Sequence, residues 1–253
     1  MAVIKLFLTG LVAAVPIATG YVPVAITFGI LVVGTGLHLL DAVLASAIVF
    51  AGATQIMAIG MYGGLSGASG PAVVQIVVAG WLLNLRHLLM SSVIAHTLAA
   101  GPAGQPRRAV RSLVAFGVTD EVFSVASLHA ARGETLRPAF LLGLEFGAYA
   151  AWVGGTALGA TLGEILPRDV RGALGLALYA LFAALLAGQF RAAGEKRSAV
   201  PLVTAATTAA AANVLFRLVL GMGAGSAFPL AMTAGALAGW IAATWIHDTG
   251  RPR

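Results

Sequence analysis

Midway along an apolar run from about Pro71 to Ala99, the segment Trp81-Leu82-Leu83-Asn84-Leu85-Arg86-His87-Leu88-Leu89-Met90 carries an amide, a guanidinium and an imidazole. The run is long enough to cross a bilayer, so these groups fall at mid-membrane depth. An unpaired arginine there costs roughly 2.5–3.5 kcal/mol on insertion scales. Arg86 therefore needs a partner, and the next apolar run, Ala109 to Ala130, offers Asp120 and Glu121 near its middle. A cation facing adjacent acids suits two kinds of chemistry. It can hold a solute that carries both charges, or the acids, which repel one another in a low dielectric, can take up a proton. Asn84 and His87 share a helix face while Arg86 points elsewhere, so one helix addresses two neighbours. His87 reads either as a hydrogen-bonded structural residue or as a proton carrier.

Other polar groups sit in apolar surroundings. Phe50-Ala51-Gly52-Ala53-Thr54-Gln55 places a hydroxyl and an amide near the middle of a run from about Ala42 to Met61, among small residues that admit a neighbouring backbone. Thr54 and Gln55 read as solute contacts or as interhelical hydrogen bonds. Glu145 is a third intramembrane acid; it reads as a further coupling candidate or as the partner of an arginine at the membrane edge. Proline cannot donate to a helix ladder and disfavours helix just before itself. Gly20-Tyr21-Val22-Pro23 is accordingly expected to be an unwound point, with a half-helix starting at Pro23 whose N-terminus could meet a carboxylate. A simple proline kink is the alternative. In Phe116-Gly117-Val118-Thr119-Asp120-Glu121, Gly117 is expected to break a helix and Thr119 to cap a new one whose first turn carries both acids. A kinked helix is the competing geometry.

These groups are embedded in a chain whose 253 residues are 59% hydrophobic and only 9% charged, against roughly 25% charged in a soluble domain. The fold expected is all-α, a polytopic membrane bundle. Dividing the length by the roughly 20 residues of a spanning helix leaves room for about seven or eight spans. A spanning barrel is argued against by the absence of alternating ten-residue segments. The net charge of +6 lies in loops flanking apolar runs, which fits lipid headgroups and topology rather than nucleic acid. There is no cysteine, hence no disulfide, thiolate ligand or cysteine nucleophile. No cofactor and no metal site is implied, and HExxH is absent.

A single transmembrane domain over residues 1–253 is expected. Residues 1–100 hold three spans, 101–108 form a polar loop, 109–247 hold the remaining spans and 248–253 a short polar tail. The opening imitates a signal peptide, but its apolar run continues through Tyr21 to Val33, so it reads as a first span from about Leu6 to Gly34. Asp41 is expected to cap the second span. After the fourth come a fifth from about Pro138 to Leu162, a sixth from Gly172 to Phe190, a seventh from Val200 to Leu220 and an eighth from Phe228 to Ile246. Arg217 can snorkel to the interface, and Trp240, Trp245 and His247 suit interfacial positions. With eight spans, the more basic loops share a side with both termini, which favours cytoplasmic termini. Three spans before the polar break allow an inverted repeat in which a broken first span corresponds to the fourth.

Pro16-Ile17 through Gly20-Tyr21-Val22-Pro23, Phe28-Gly29, Phe50 to Gln55, Asn84-Leu85-Arg86-His87-Leu88 and Thr119-Asp120-Glu121, in that order, resemble the AzlC-type branched-chain amino acid permease family. Asn-Leu-Arg-His followed by Thr-Asp-Glu is the specific part. After Leu162 only hydropathy and length agree, and Met90 stands near a position where family members usually carry an aromatic. The resemblance implies export of branched-chain amino acids across the bacterial inner membrane together with a small multi-span partner of the AzlD type. In that frame Arg86 or the Pro23 half-helix meets the substrate carboxylate, and Asp120 or Glu121 accepts the ammonium or a coupling proton. Tyr21, Thr54, Gln55 and Asn84 line the site. A channel or a non-transporting assembly subunit is the alternative, and an intramembrane hydrolase is disfavoured because no nucleophile motif appears.

Overall fold

The computed structural model describes residues 2–63, 70–101, 106–165, 167, 196–222 and 224–249, and every regular element among them is helical. They are α1 (Ala2–Ala13), α2 (Val15–Gly34), α3 (Leu39–Ile48), α4 (Gly52–Gly63), α5 (Gly70–Ala100), α6 (Arg108–Gly117), α7 (Asp120–Ala131), α8 (Pro138–Ile165), α9 (Lys196–Val214) with a π-helical turn at Leu215–Val219, and α10 (Ala224–Thr249). Among the described residues three helical stretches, Val15–Gly34, Val73–Ala99 and Ala199–Val219, are long and apolar enough to cross a membrane; the bent pair α6–α7 makes a fourth if it counts as one span. The expected sixth span, Gly172 to Phe190, lies outside the described residues.

The chain divides into two compact units, Met1–Ile59 with Asn84–Leu178, and Gly60–Leu83 with Tyr179–Arg253. In the first, α8 is the central pillar, and α1, α2, α3, α6 and α7 all pack against it. Small residues recur on α8 at every fourth position: Gly143, Gly147, Ala151, Gly155, Gly159 and Gly163. That ridge lets α1 and α2 approach to backbone contact. A Cβ on Gly143 would overlap the Phe7 carbonyl, one on Gly159 the Ile26 carbonyl, and, from the other side, Cβ atoms on Gly10 and Gly29 would overlap the carbonyls of Phe140 and Thr156. With no hydrophobic drive between helices in lipid, such close packing is a main source of helix association. In the second unit α9 and α10 pack in the same way, Gly235 and Gly239 lying against Ala205, Ala209 and Pro201. Trp240 and Trp245 are exposed on α10.

Which spans break is where the structure departs from expectation. The first does not unwind at Tyr21–Pro23, because α2 runs through Pro23 without interruption. Pro23 removes only one ladder donor, and the backbone beside it at Val22 lies against Gly155 of the α8 ridge. The nearest discontinuity is Ala14, where the ladder persists: its N–H reaches the carbonyls of Gly10 and Leu11, and its own carbonyl accepts from Ala18. No half-helix begins at Pro23, so Pro23 presents no N-terminus to a carboxylate. The correspondence drawn between a broken first span and the fourth falls with it.

Of the expected spans, the second is interrupted where the first is not. Val49, Phe50 and Ala51 leave the helical path between α3 and α4, and the indole of Trp152 lies against Gly52 where α4 begins. The N-cap residue of α3 is His38 rather than Asp41, but Asp41 takes part in the cap from the third helical position, its carboxylate accepting the His38 N–H at 2.8 Å in a capping box. The fourth span breaks as expected. The axis turns through 115° at Val118-Thr119. Thr119 is the N-cap of α7, its hydroxyl accepting the Val122 N–H at 3.3 Å, with Asp120 and Glu121 in the first turn. A cap oxygen and two acids at the positive end of the helix dipole account for a start at this residue.

Candidate functional site

The two breaks, at residues 49–51 and 118–119, flank a cluster of aromatic rings. Phe50, in the first break, packs edge-on against Tyr21 of α2 and Tyr149 of α8, and lies 6.4 Å from Phe116, at the end of α6. Trp152 completes the cluster 5.3 Å from Tyr21. None of Trp152, Tyr149, Phe50 and Phe116 stands out as a site residue in the sequence, since an aromatic in an apolar run reads as core or lipid contact.

One end of this cluster is enclosed and its polar groups are fully engaged. Gln55 is buried; its Oε1 accepts the Trp152 Nε1–H at 2.7 Å and its Nε2 donates to Ser46 at 3.3 Å. Ser46 is 2.8 Å from the Thr156 hydroxyl, which donates to the Trp152 carbonyl. Of the two readings of Gln55 the geometry fits the interhelical one, because its carbonyl and amide ends are already taken up in binding α3 and α4 to α8. The only sequence signal for Ser46 and Thr156 is the spacing of Trp152 and Thr156, one turn apart on α8.

The other end is open. Arg86 Nη1 lies 2.9 Å from Asp120 Oδ2, and both side chains are 46% exposed. Charge cost alone led to this pairing. The neighbouring Glu121 accepts a hydrogen bond from the Tyr21 hydroxyl at 2.5 Å, and that hydroxyl is also 2.8 Å from Thr119 Oγ1. Tyr21 thus belongs to the site through its side chain, although no unwound segment surrounds it. Thr54 donates to Asn84 Oδ1 at 2.9 Å, joining α4 to α5. His87 Nδ1 lies 3.3 Å from the Asn84 carbonyl one turn earlier in its own helix.

Glu145 stands apart from these groups. It is buried, and its Oε1 has no hydrogen-bond partner among the described residues. Among the described residues no arginine pairs with it; the side chain turns against Gly117.

The sequence pattern that defines the AzlC proteins matches residues 16–166. The chain belongs to the AzlC family. Among relatives of this AzlC protein, a membrane protein of Archaeoglobus fulgidus is 43% identical over 183 residues, 72% of this chain and 74% of that one. The inner membrane protein YgaZ of Escherichia coli is 31% identical over 242 residues, covering 94% and 89% of the two chains. A membrane protein of Helicobacter pylori is 22% identical over 196 residues, 78% and 81% of the two. No solved structure matches. The matched segment runs from the first turn of α2 to the end of α8, and so contains both interrupted helices and every polar residue described above. The AzlC protein is therefore a permease-type membrane protein whose family-defining part coincides with the pillar, the breaks and the charged edge.

Proposed function

We propose that this protein exports branched-chain or other hydrophobic amino acids across the bacterial inner membrane, driven by the proton gradient and acting with a small multi-span partner of the AzlD type. The observation that carries the reading is the half-exposed Arg86–Asp120 ion pair beside the aromatic cluster. An accessible ion pair is a template for a zwitterion. An amino acid that inserts between the two groups sets its carboxylate on Arg86 and its ammonium on Asp120, so one ion pair is exchanged for two and no charge is left bare. Its aliphatic side chain is then directed to an apolar surface. Tyr21 holds Glu121 beside the ammonium position, and Thr54 and Asn84 tie α4 to the helix that carries Arg86. Gln55 serves as scaffold. The seven- or eight-span topology belongs to the same proposal, with α8 and the α3–α4 pair crossing in addition to the apolar helices. The name of the Escherichia coli relative supports the inner-membrane location.

The test is efflux of labelled valine, leucine, isoleucine and methionine from vesicles, with and without the partner, for the unmodified protein and for Asp120→Asn. The unmodified protein is expected to move these amino acids uphill, and Asp120→Asn to lose at least nine-tenths of the rate while assembling normally. Purely downhill movement would make the protein a channel. Normal uphill efflux by Asp120→Asn would remove the ion pair from the mechanism.

A further inference from the structure

Glu145 lies on α8 with 4% of its surface exposed, and its Oε1 is unpartnered among the described residues. Its side chain rests on the last residue of α6: a Cβ built on Gly117 would come within 2.6–2.7 Å of the Glu145 Cβ, Cγ and carboxyl carbon. Gly117 immediately precedes the 115° turn, so the carboxyl is packed on the hinge between α6 and α7. The other two acids of the region are engaged, Asp120 with Arg86 and Glu121 with Tyr21. The titratable side chains described on the helices packed around Glu145 are Lys5 on α1, Tyr21 on α2, Asp41 on α3, Arg108 and Arg111 on α6, Asp120, Glu121 and His129 on α7, and Tyr149 on α8 itself. Among the described residues no hydrogen bond or ion pair joins any of them to the Glu145 carboxyl.

A carboxylate enclosed without a cation is strongly disfavoured, whereas the neutral acid tolerates such a place. A group that must be neutral when covered and can ionise when wetted is suited to carry a proton between two conformations. We propose that Glu145 is the proton-carrying residue of transport, protonated while Gly117 covers it and deprotonated in a second conformation in which the α6–α7 hinge has moved off α8. In the uncovered conformation that faces one side the carboxyl O–H bond breaks and the proton passes to water; the wetted carboxylate then turns to face the other side, takes a proton from water there, and the hinge closes over the neutral acid for the return. One proton crosses per cycle and no other bond changes. The inference deepens the transport reading and rests on it for the coupling to an amino acid, but not for the proton-binding itself.

The test uses the full-length protein in liposomes, with its partner where efflux requires it. Glu145→Gln keeps the size of the side chain against Gly117 and cannot release a proton. It is expected to retain exchange of labelled leucine within about twofold of the unmodified protein, while uphill leucine movement and leucine-dependent proton flux, read with a trapped pH dye, fall at least tenfold. Glu145→Gln that still couples protons to leucine overturns the proposal. Infrared difference spectra between low and high pH supply a readout free of transport: the unmodified protein should show the carbonyl stretch of a protonated carboxyl that disappears on deprotonation. That band should be absent in Glu145→Gln, or, should the glutamine variant not fold, shifted in Glu145→Asp. Absence of the band from the unmodified protein, or its persistence unchanged in the variant, also overturns the proposal. If no leucine moves in any sample, the transport reading fails and the infrared band alone decides the role of Glu145.

Discussion

Gln55 and Asp120 are polar residues at the first turns of half-helices, α4 and α7, yet their surroundings are opposite. Gln55 is sealed behind Trp152 and gives both ends of its amide to the protein. Asp120 has one partner, Arg86, and both remain nearly half open. A saturated polar group in a dry place cannot change partners without leaving something unsatisfied, and so it fixes the packing of helices. A half-exposed charged pair has surface left free for a second partner, and so it can meet a solute. The same chemical vocabulary therefore makes a scaffold at one end of the aromatic cluster and an exchangeable site at the other.

If that division is right, substitutions should sort by end. The largest effect on stability is expected beneath the enclosed end, on the α8 ridge. Gly159→Leu forces side-chain atoms into the Ile26 carbonyl and should lower stability by about 3 kcal/mol or prevent accumulation altogether; thermal unfolding in detergent, followed by loss of a monodisperse peak, reads it, and normal melting would mean that α2 and α8 are not held by this contact. Next comes Gln55→Leu, which strands the Trp152 indole N–H and leaves the Ser46 hydroxyl with Thr156 alone. A loss of about 2–3 kcal/mol is expected, with the KM for amino acid in the surviving protein unchanged; a raised KM would move Gln55 to the solute side of the comparison.

At the open end, Arg86→Leu should cost about 2 kcal/mol, less than for a fully buried pair because both side chains are 46% exposed. The double variant Arg86→Leu/Asp120→Leu should be more stable than the single one, since it leaves no acid without its cation. Equal stability of the two would show that the groups are not coupled. The smallest effect is predicted for Thr54→Val, which removes one hydrogen bond to Asn84 and should cost about 1 kcal/mol. A loss several times larger would place Thr54 with the saturated network.

The sequence disclosed those features whose causes are local or whose cost is large. Thr119 followed by two acids is a complete helix-start signal within three residues, and the structure begins α7 there. An arginine in mid-run demanded an acid, and only Asp120 and Glu121 were at hand in the next run. The position of the first break was not legible for the opposite reason. Pro23 is a strong local signal that tertiary packing overrides, whereas Pro16 stands in the first turn of α2 just after the discontinuity at Ala14; Val49-Phe50-Ala51 contains no proline or glycine, and what stands beside the break is Trp152, about a hundred residues further along the chain. The inward turn of Glu145 was hidden likewise, because Gly117 supplies the space for it from another helix. The fourfold spacing of small residues on α8 was readable all along; its meaning needed a partner helix of equal smoothness, and α1 and α2 supply one through Gly10 and Gly29.

The 115° turn at Val118-Thr119 has a bearing on parity. With 10 residues in α6 and 12 in α7, each arm is about 15–18 Å long at 1.5 Å per residue, about half the hydrocarbon thickness. A pair of such arms that continues to the far side adds one crossing; a pair that doubles back adds none, and then every loop from Arg132 onward changes sides. The inside-outside address of more than a hundred residues thus hangs on two. Because the chain has no cysteine, a single thiol placed at Arg107 or at Arg132 can be labelled without background by an impermeant maleimide. Labelling of both from one side of the membrane means that the chain has turned back.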